Sequence, residues 1–210
     1  MSAPAVTERA LVLRIAASGE SFHKIDILTV ESGTFLCLKR LSKNRSQSTE
    51  PDLFDTADIQ LETAKQGTVR FVKDYQLVHR HSAIGQSYRK LQHASDFCAL
   101  IAQNGPHMVD PTALYRITER TLDAFAGRAL PAIVFLKAIY ILLKDEGYPV
   151  REAWWPELPA NLRETAKQLI HLPTPDSTAP EKLEACAQIS HNLCHWLRRE
   201  TDLMLPNSLA

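Results

Sequence analysis

The sequence predicts an α+β, multidomain chain: a small N-terminal β-barrel followed by an all-α helical domain. Three observations lead there. Hydrophobic alternation of short period runs to about residue 81, and a helical period takes over from 82 to the end. Five strand-like runs in the first part leave little room for crossover helices. Five short strands in so little chain suit closure into a curved barrel, because closure removes exposed edges. The expected division is therefore a barrel over 1–81 and a helical domain over 82–210.

The strand candidates are residues 9–15 (RALVLRI), 24–30 (KIDILTV), 34–38 (TFLCL), 57–63 and 68–78 (TVRFVKDYQLV), joined by sequential hairpins. In the first, Leu11, Leu13 and Ile15 alternate against Val12 and Arg14. Between the second and third, Glu31-Ser32-Gly33 makes a short connection whose glycine tolerates positive φ. In the helical part, Tyr88, Leu91, Ser95, Cys98, Leu100 and Ile101 mark a helix that stops before Asn104-Gly-Pro106. Asp110-Pro111 is an N-cap with proline at the first helical position, and Leu114, Ile117, Thr121, Leu122 and Phe125 then share a face. Residues 130–144 are apolar almost all round, with Lys137 the one interior charge, and Gly147 and Pro149 end the run. A helix without a polar face belongs at the centre of a bundle. Two more helices follow, over 161–171 and 179–201.

Composition excludes several functions. The seven glycines are never closer than fourteen residues apart, so no glycine loop that cradles a phosphate is present. Cys37, Cys98, Cys186 and Cys194 form no C-x-x-C pair, which removes the usual zinc and redox motifs. No G-x-S-x-G elbow occurs, and no acidic pair stands out on an apolar face as an acid/base couple. The expectation is a protein that is not an enzyme, with no cofactor and no metal. No apolar run is long enough to span a bilayer and the N-terminus shows no signal peptide, so the expected location is cytoplasmic, with reduced thiols.

Formal net charge is +0, but the sum hides alternation. Residues 9–45 carry seven basic and three acidic side chains, 46–62 carry five acids and no base, and 63–100 return to an excess of four bases. Blocks of that size matter when the Debye length is about 8 Å in physiological salt. The densest cationic run, Lys39-Arg40-Leu41-Ser42-Lys43-Asn44-Arg45, leaves a strand for a Ser/Asn-rich loop, with Arg14 and Lys24 on neighbouring strands. Cations on a barrel rim follow a phosphate backbone without reading bases, whereas the same run also suits a solvated loop. Phe35 and Phe71 are stacking platforms on one reading and core residues on the more frequent one.

In the helical part, Trp154-Trp155 before Pro156 suits a loop with one ring packed and the other at a partner surface, whereas packing alone is the more frequent reading. Lys137 either snorkels or meets the carboxylate of a partner peptide. Cys186, His191, Cys194 and His195 lie at about 0°, 140°, 80° and 180° around a helix, too dispersed to share one ion.

These residues together resemble the bacterial DNA repair protein family RecO. The resemblance rests on Ala10-Leu-Val-Leu-Arg14, Gly19-Glu20, residues 24–28, Thr29-x-x-x-Gly33, the basic 39–45 run, Leu53, the 69–79 strand and the turn into a long helix near 82–100. In the second half, FLKAIYILLKDEGY over 135–148 is similar to the family's central helix with its terminal Gly-Tyr. Many relatives carry a four-cysteine zinc module just after that point; here Val150-Arg-Glu-Ala-Trp-Trp-Pro156 contains no cysteine. The resemblance implies an N-terminal OB-fold and a helical domain that binds partners. It implies binding of single- and double-stranded DNA and annealing of complementary strands in recombinational repair, as a mediator. Its implied partners are RecR and the acidic-apolar C-terminal tail of single-stranded-DNA-binding protein. The expected DNA contacts are Arg14, Lys24, Lys39, Arg40, Lys43 and Arg45, and the expected partner contacts are Lys137, Trp154 and Trp155. The alternative is an interaction module of the same fold with little DNA affinity.

Overall fold

The chain is described by a computed structural model over residues 6–41, 49–64 and 68–209. Five strands come first: β1 (Val6–Ser18), β2 (Phe22–Thr29), β3 (Gly33–Arg40), β4 (Thr56–Thr63) and β5 (Arg70–His79). The helices α1 (Tyr88–Asn104), α2 (Pro111–Ala126), α3 (Pro131–Asp145), the single turn α4 (Trp155–Glu157), α5 (Ala160–His171) and α6 (Pro180–Glu200) follow. The strands close a barrel in the order β1-β2-β3-β5-β4, so the architecture is a barrel followed by helices, compatible with an OB-fold-like barrel. All pairings are antiparallel except β3 with β5, where Cys37, Leu38 and Lys39 face Arg70, Phe71 and Val72 in parallel. The expectation of sequential hairpins holds for β1–β2, β2–β3 and β4–β5. It fails between β3 and β4: β4 lies against β1, pairing Val6 with Leu61 and Ala10 with Ala57.

The barrel interior is filled by Ala10, Val12, Ile25, Ile27, Cys37, Ala57, Ile59, Leu61, Val72 and Tyr75, with Ile15 and Phe35 packed against them. On β1 the inward positions change parity along the strand. A bulge between Val12 and Arg14 makes Leu13 an extra residue, so the inward positions are Ala10 and Val12 before it and Ile15 after it. Leu11 and Leu13 are buried all the same, away from the interior cluster.

The segment before β4 is clamped to this bulge. Phe54 N–H donates to the Val12 carbonyl and Val12 N–H to the Asp55 carbonyl, both at 2.9 Å. Phe54 takes φ +66°, a left-handed conformation uncommon for a bulky side chain. The fully buried Asp55 carboxylate accepts bonds from Arg80 Nε (2.8 Å) and Nη2 (2.7 Å), Tyr75 Oη (2.8 Å) and the Asp52 N–H (2.9 Å).

The chain forms two compact units. The first joins the residues up to His81 with Gly105–Arg116; the second takes Ser82–Asn104 and the residues from Ile117 onward. The stretch 105–116 follows the period change in sequence, yet it packs with the barrel. A Cβ on Gly105 would stand 2.2 Å from Thr34 Oγ1, so only glycine permits this approach. Thr112 Oγ1 donates to the Val30 carbonyl, and Asp110 Oδ1 caps the helix by accepting from the Thr112 and Ala113 amides.

In the second unit α3 is the central helix, packed against α1, α5 and α6, as its all-round apolar sequence predicts. Tyr88 is not part of the α1 core face; it is 79% exposed. The segment after α6 lies back on α1. Asn104 donates to the Met204 carbonyl (2.9 Å) and accepts from the Met204 amide (2.8 Å), while Ser208 Oγ donates to Asp96.

Candidate functional site

One end of the barrel gathers the start of β2, the end of β3 and the start of β5, and three of the six expected cations, Lys24, Lys39 and Arg40, stand there. Strand register sorts their side chains into two sets, because residues that face each other across a pair share a side of the sheet. On the outer side, β1 contributes Arg14, Ala16 and Ser18, β2 contributes Asp26, Lys24 and Phe22, and β3 contributes Leu36, Leu38 and Arg40, each row in direct register. Phe71 of β5 extends the middle row beside Leu38. On the inner side, the same register pairs His23 with Lys39 and places Arg70 beside Cys37.

The expected DNA contacts thus divide. Arg14, Lys24 and Arg40 share the outer surface, while Lys39 has the parity of Cys37 and Phe35 and belongs to the inner side at the rim. Lys43 and Arg45 lie outside the described residues. Arg70, which sequence reading did not single out, sits with its guanidinium 4.0 Å from the centroid of the Phe35 ring. Lys24, Lys39, Arg40 and Arg70 have no ion pair with any described residue. Arg14 does: its Nε lies 3.7 Å from Asp26 Oδ2. Burial pushes the Asp26 carboxyl above its ordinary value, against the opposite pull of Arg14 and then Lys24.

Aromatic residues occupy the same outer surface. The Phe22 and Phe71 rings lie on either side of β3 with centroids 6.0 Å apart and planes tilted by 58°, and both residues are half-buried. Leu36 beside them is 47% exposed. Phe35 fits the core reading, since it packs on the interior cluster. Phe71 does not: Val72, its neighbour in sequence, is the residue that enters the core. A strand this short offered the signal in its alternation, but only the pairing with β3 fixes which parity points inward.

The partner contacts expected in the helical unit are placed differently. Trp154 is fully buried, its Nε1 donating to Asn192 Oδ1 at 2.8 Å and its ring against Tyr140, so it is core and offers no partner surface. Trp155 is half-exposed and meets Trp154 edge-on at 5.8 Å. These rings lie in a π-helical turn, Val150–Trp154, and in α4 rather than in a loop. Lys137 donates to the Leu172 carbonyl at the C-terminal end of α5, and burial holds its ammonium below the ordinary lysine value. That bond satisfies a helix-end carbonyl.

Cys186 and Cys194 are buried, with burial pushing both thiols up to about 11, whereas His191 and His195 face a shallow groove of about 460 Å³ lined also by Pro159, Leu162 and Gln188. The four do not share an ion-binding position. No helix among the described residues is long and apolar enough to cross a membrane. A scan of protein-family models finds none that matches the chain, and a search of curated proteins finds no match either.

Proposed function

We propose that the barrel end built from β2, β3 and β5 binds nucleic acid, and that the chain acts as a DNA-binding recombination mediator that anneals strands, as its resemblance to RecO implies. The observation that carries this reading is the shared end of the barrel: Lys24 and Arg40 on its outer side beside Phe22 and Phe71, and Lys39 and Arg70 on its inner side beside Phe35, none of them in an ion pair with a described residue. A polyanion gains from such a cluster whatever the net charge of the whole chain, because charges beyond a Debye length are screened. Cations that screen two strands at once lower their mutual repulsion and let base pairing complete. No bond-breaking step belongs to this reading, which treats the chain as a binding protein and not as an enzyme. The partners RecR and the acidic-apolar tail of single-stranded-DNA-binding protein belong to the same proposal. They are assigned to the helical unit, where Trp155 is the candidate with exposed surface.

The test is fluorescence anisotropy of a labelled oligonucleotide over a salt series. Neutralising about four phosphates of a single strand gives a log–log slope near −3. Replacing Lys24, Lys39, Arg40 and Arg70 with alanine flattens that slope toward zero. A second reading, an interaction module with little DNA affinity, draws on the Arg14–Asp26 and Lys73–Glu62 pairs, which neutralise part of this barrel. Binding that is weak, indifferent to salt and unchanged by the four substitutions would establish the second reading and remove the first.

A further inference from the structure

Phosphate contacts alone do not distinguish a single strand from a duplex. The Phe22–Phe71 pair adds a group that does. We infer that these two rings form a base-stacking subsite, so that the outer surface of β2, β3 and β5 takes an unpaired strand in preference to a duplex. This inference rests on the nucleic-acid reading above and specifies its ligand.

The placement is unusual for phenylalanine. The barrel interior is already filled by its own cluster, and neither ring contributes to it. Phe22 and Phe71 instead stand on the opposite side of their strands, half-buried, with the β3 backbone between them. Arg40 is the direct partner of Phe22, so a cation flanks that ring. Phe71 lies in register between Leu38 and Glu62, whose carboxylate pairs with Lys73 at 3.6 Å, and Lys24 stands one strand beyond Leu38 in the same row. On the β1 side the same rows end in Ser18 and Ala16, small residues that leave space beside the aromatic pair. Bases expose π-faces only when unpaired, and each base stacked on an aromatic ring strengthens binding with little regard to its identity. A duplex offers these rings only its backbone and groove edges.

The experiment compares four ligands of equal length on the full chain at one salt concentration. They are a mixed-sequence single strand, the corresponding duplex, a single strand in which the central nucleotides are abasic, and an RNA of the same sequence. The expected result is about tenfold weaker binding of the abasic strand than of the intact strand, with their salt slopes equal, because the two carry the same phosphates. The duplex binds at least as weakly as the abasic strand, and RNA binds like the single-stranded DNA, since stacking does not read the sugar. Phe22→Leu with Phe71→Leu, which keeps apolar volume, abolishes the difference between intact and abasic strands and leaves the salt slope in place. Equal binding of intact and abasic strands by the unaltered chain overturns the stacking subsite while leaving the phosphate reading intact. Failure of every ligand to bind overturns both.

Discussion

Asp26 stands in register with Arg14 on the outer side of the barrel, and its environment works against its charge. Burial raises its carboxyl above the ordinary value more than Arg14 and Lys24 lower it. A carboxyl raised in the folded state stabilises the fold below its ordinary value, and that contribution is lost as pH rises through the folded value. At neutral pH the ionised form is therefore a cost to the fold as well as a screen on Arg14. Asp26→Asn is expected to free Arg14 for a phosphate, steepening the salt slope by about 0.7 and tightening binding at fixed salt. An unchanged slope would put Arg14 outside the contact area. His93 has the opposite sign. Burial lowers its imidazole, with Asp96 opposing and Arg89 assisting, and its Nδ1 has no hydrogen-bond partner among the described residues. Below the ordinary histidine value of about 6.5 the unfolded chain takes up a proton that the folded chain resists. Stability is thus complete above that value and declines as pH falls toward the folded one. Urea midpoints measured from about pH 7.5 down to 5.5 should drop, and His93→Gln should flatten the curve.

Among the elements, the segment from Asp52 to Asp55 does most to fix where β4 begins. Its backbone bonds to Val12 at the β1 bulge, and its one buried carboxylate ties it to Tyr75 and Arg80. Removing the cation leaves a buried charge without its partner, so Arg80→Ala is expected to cost about 3 kcal/mol or more in urea unfolding. Tyr75→Phe, which removes one hydrogen bond, should cost about 1 kcal/mol. A loss under 0.5 kcal/mol for Arg80→Ala would mean that solvent replaces the guanidinium. The same bulge marks the limit of what alternation can say. Strand positions follow from hydrophobic runs and turn residues, and the five strands stand close to where the sequence puts them. Facing does not follow, because one extra residue at Leu13 reverses the inward parity of everything after it. Lys73, the extra residue where β5 shifts against β4, does the same on the other side of the barrel.

For the whole molecule, the features legible in the sequence are those that depend on composition over many residues: the change of period, the buried central helix, the local cationic excess. Strand order was less legible, since β4 joins β1 through contacts some fifty residues apart in sequence. The candidate site shows the same division. Lys24 and Arg40 could be nominated as members of a basic region, whereas Arg70 and Phe22 acquire meaning only when register brings single residues from separate strands together. The four cysteines carry a practical consequence. All are buried: Cys37 inside the barrel has its thiol pushed up to about 12, and Cys98 is pushed up as well by complete burial. Since maleimides react with thiolates they can reach, the natural sulfurs should stay silent toward such reagents in the folded chain. A single Leu36→Cys replacement then accepts one fluorophore beside the aromatic pair, with no native cysteine removed first.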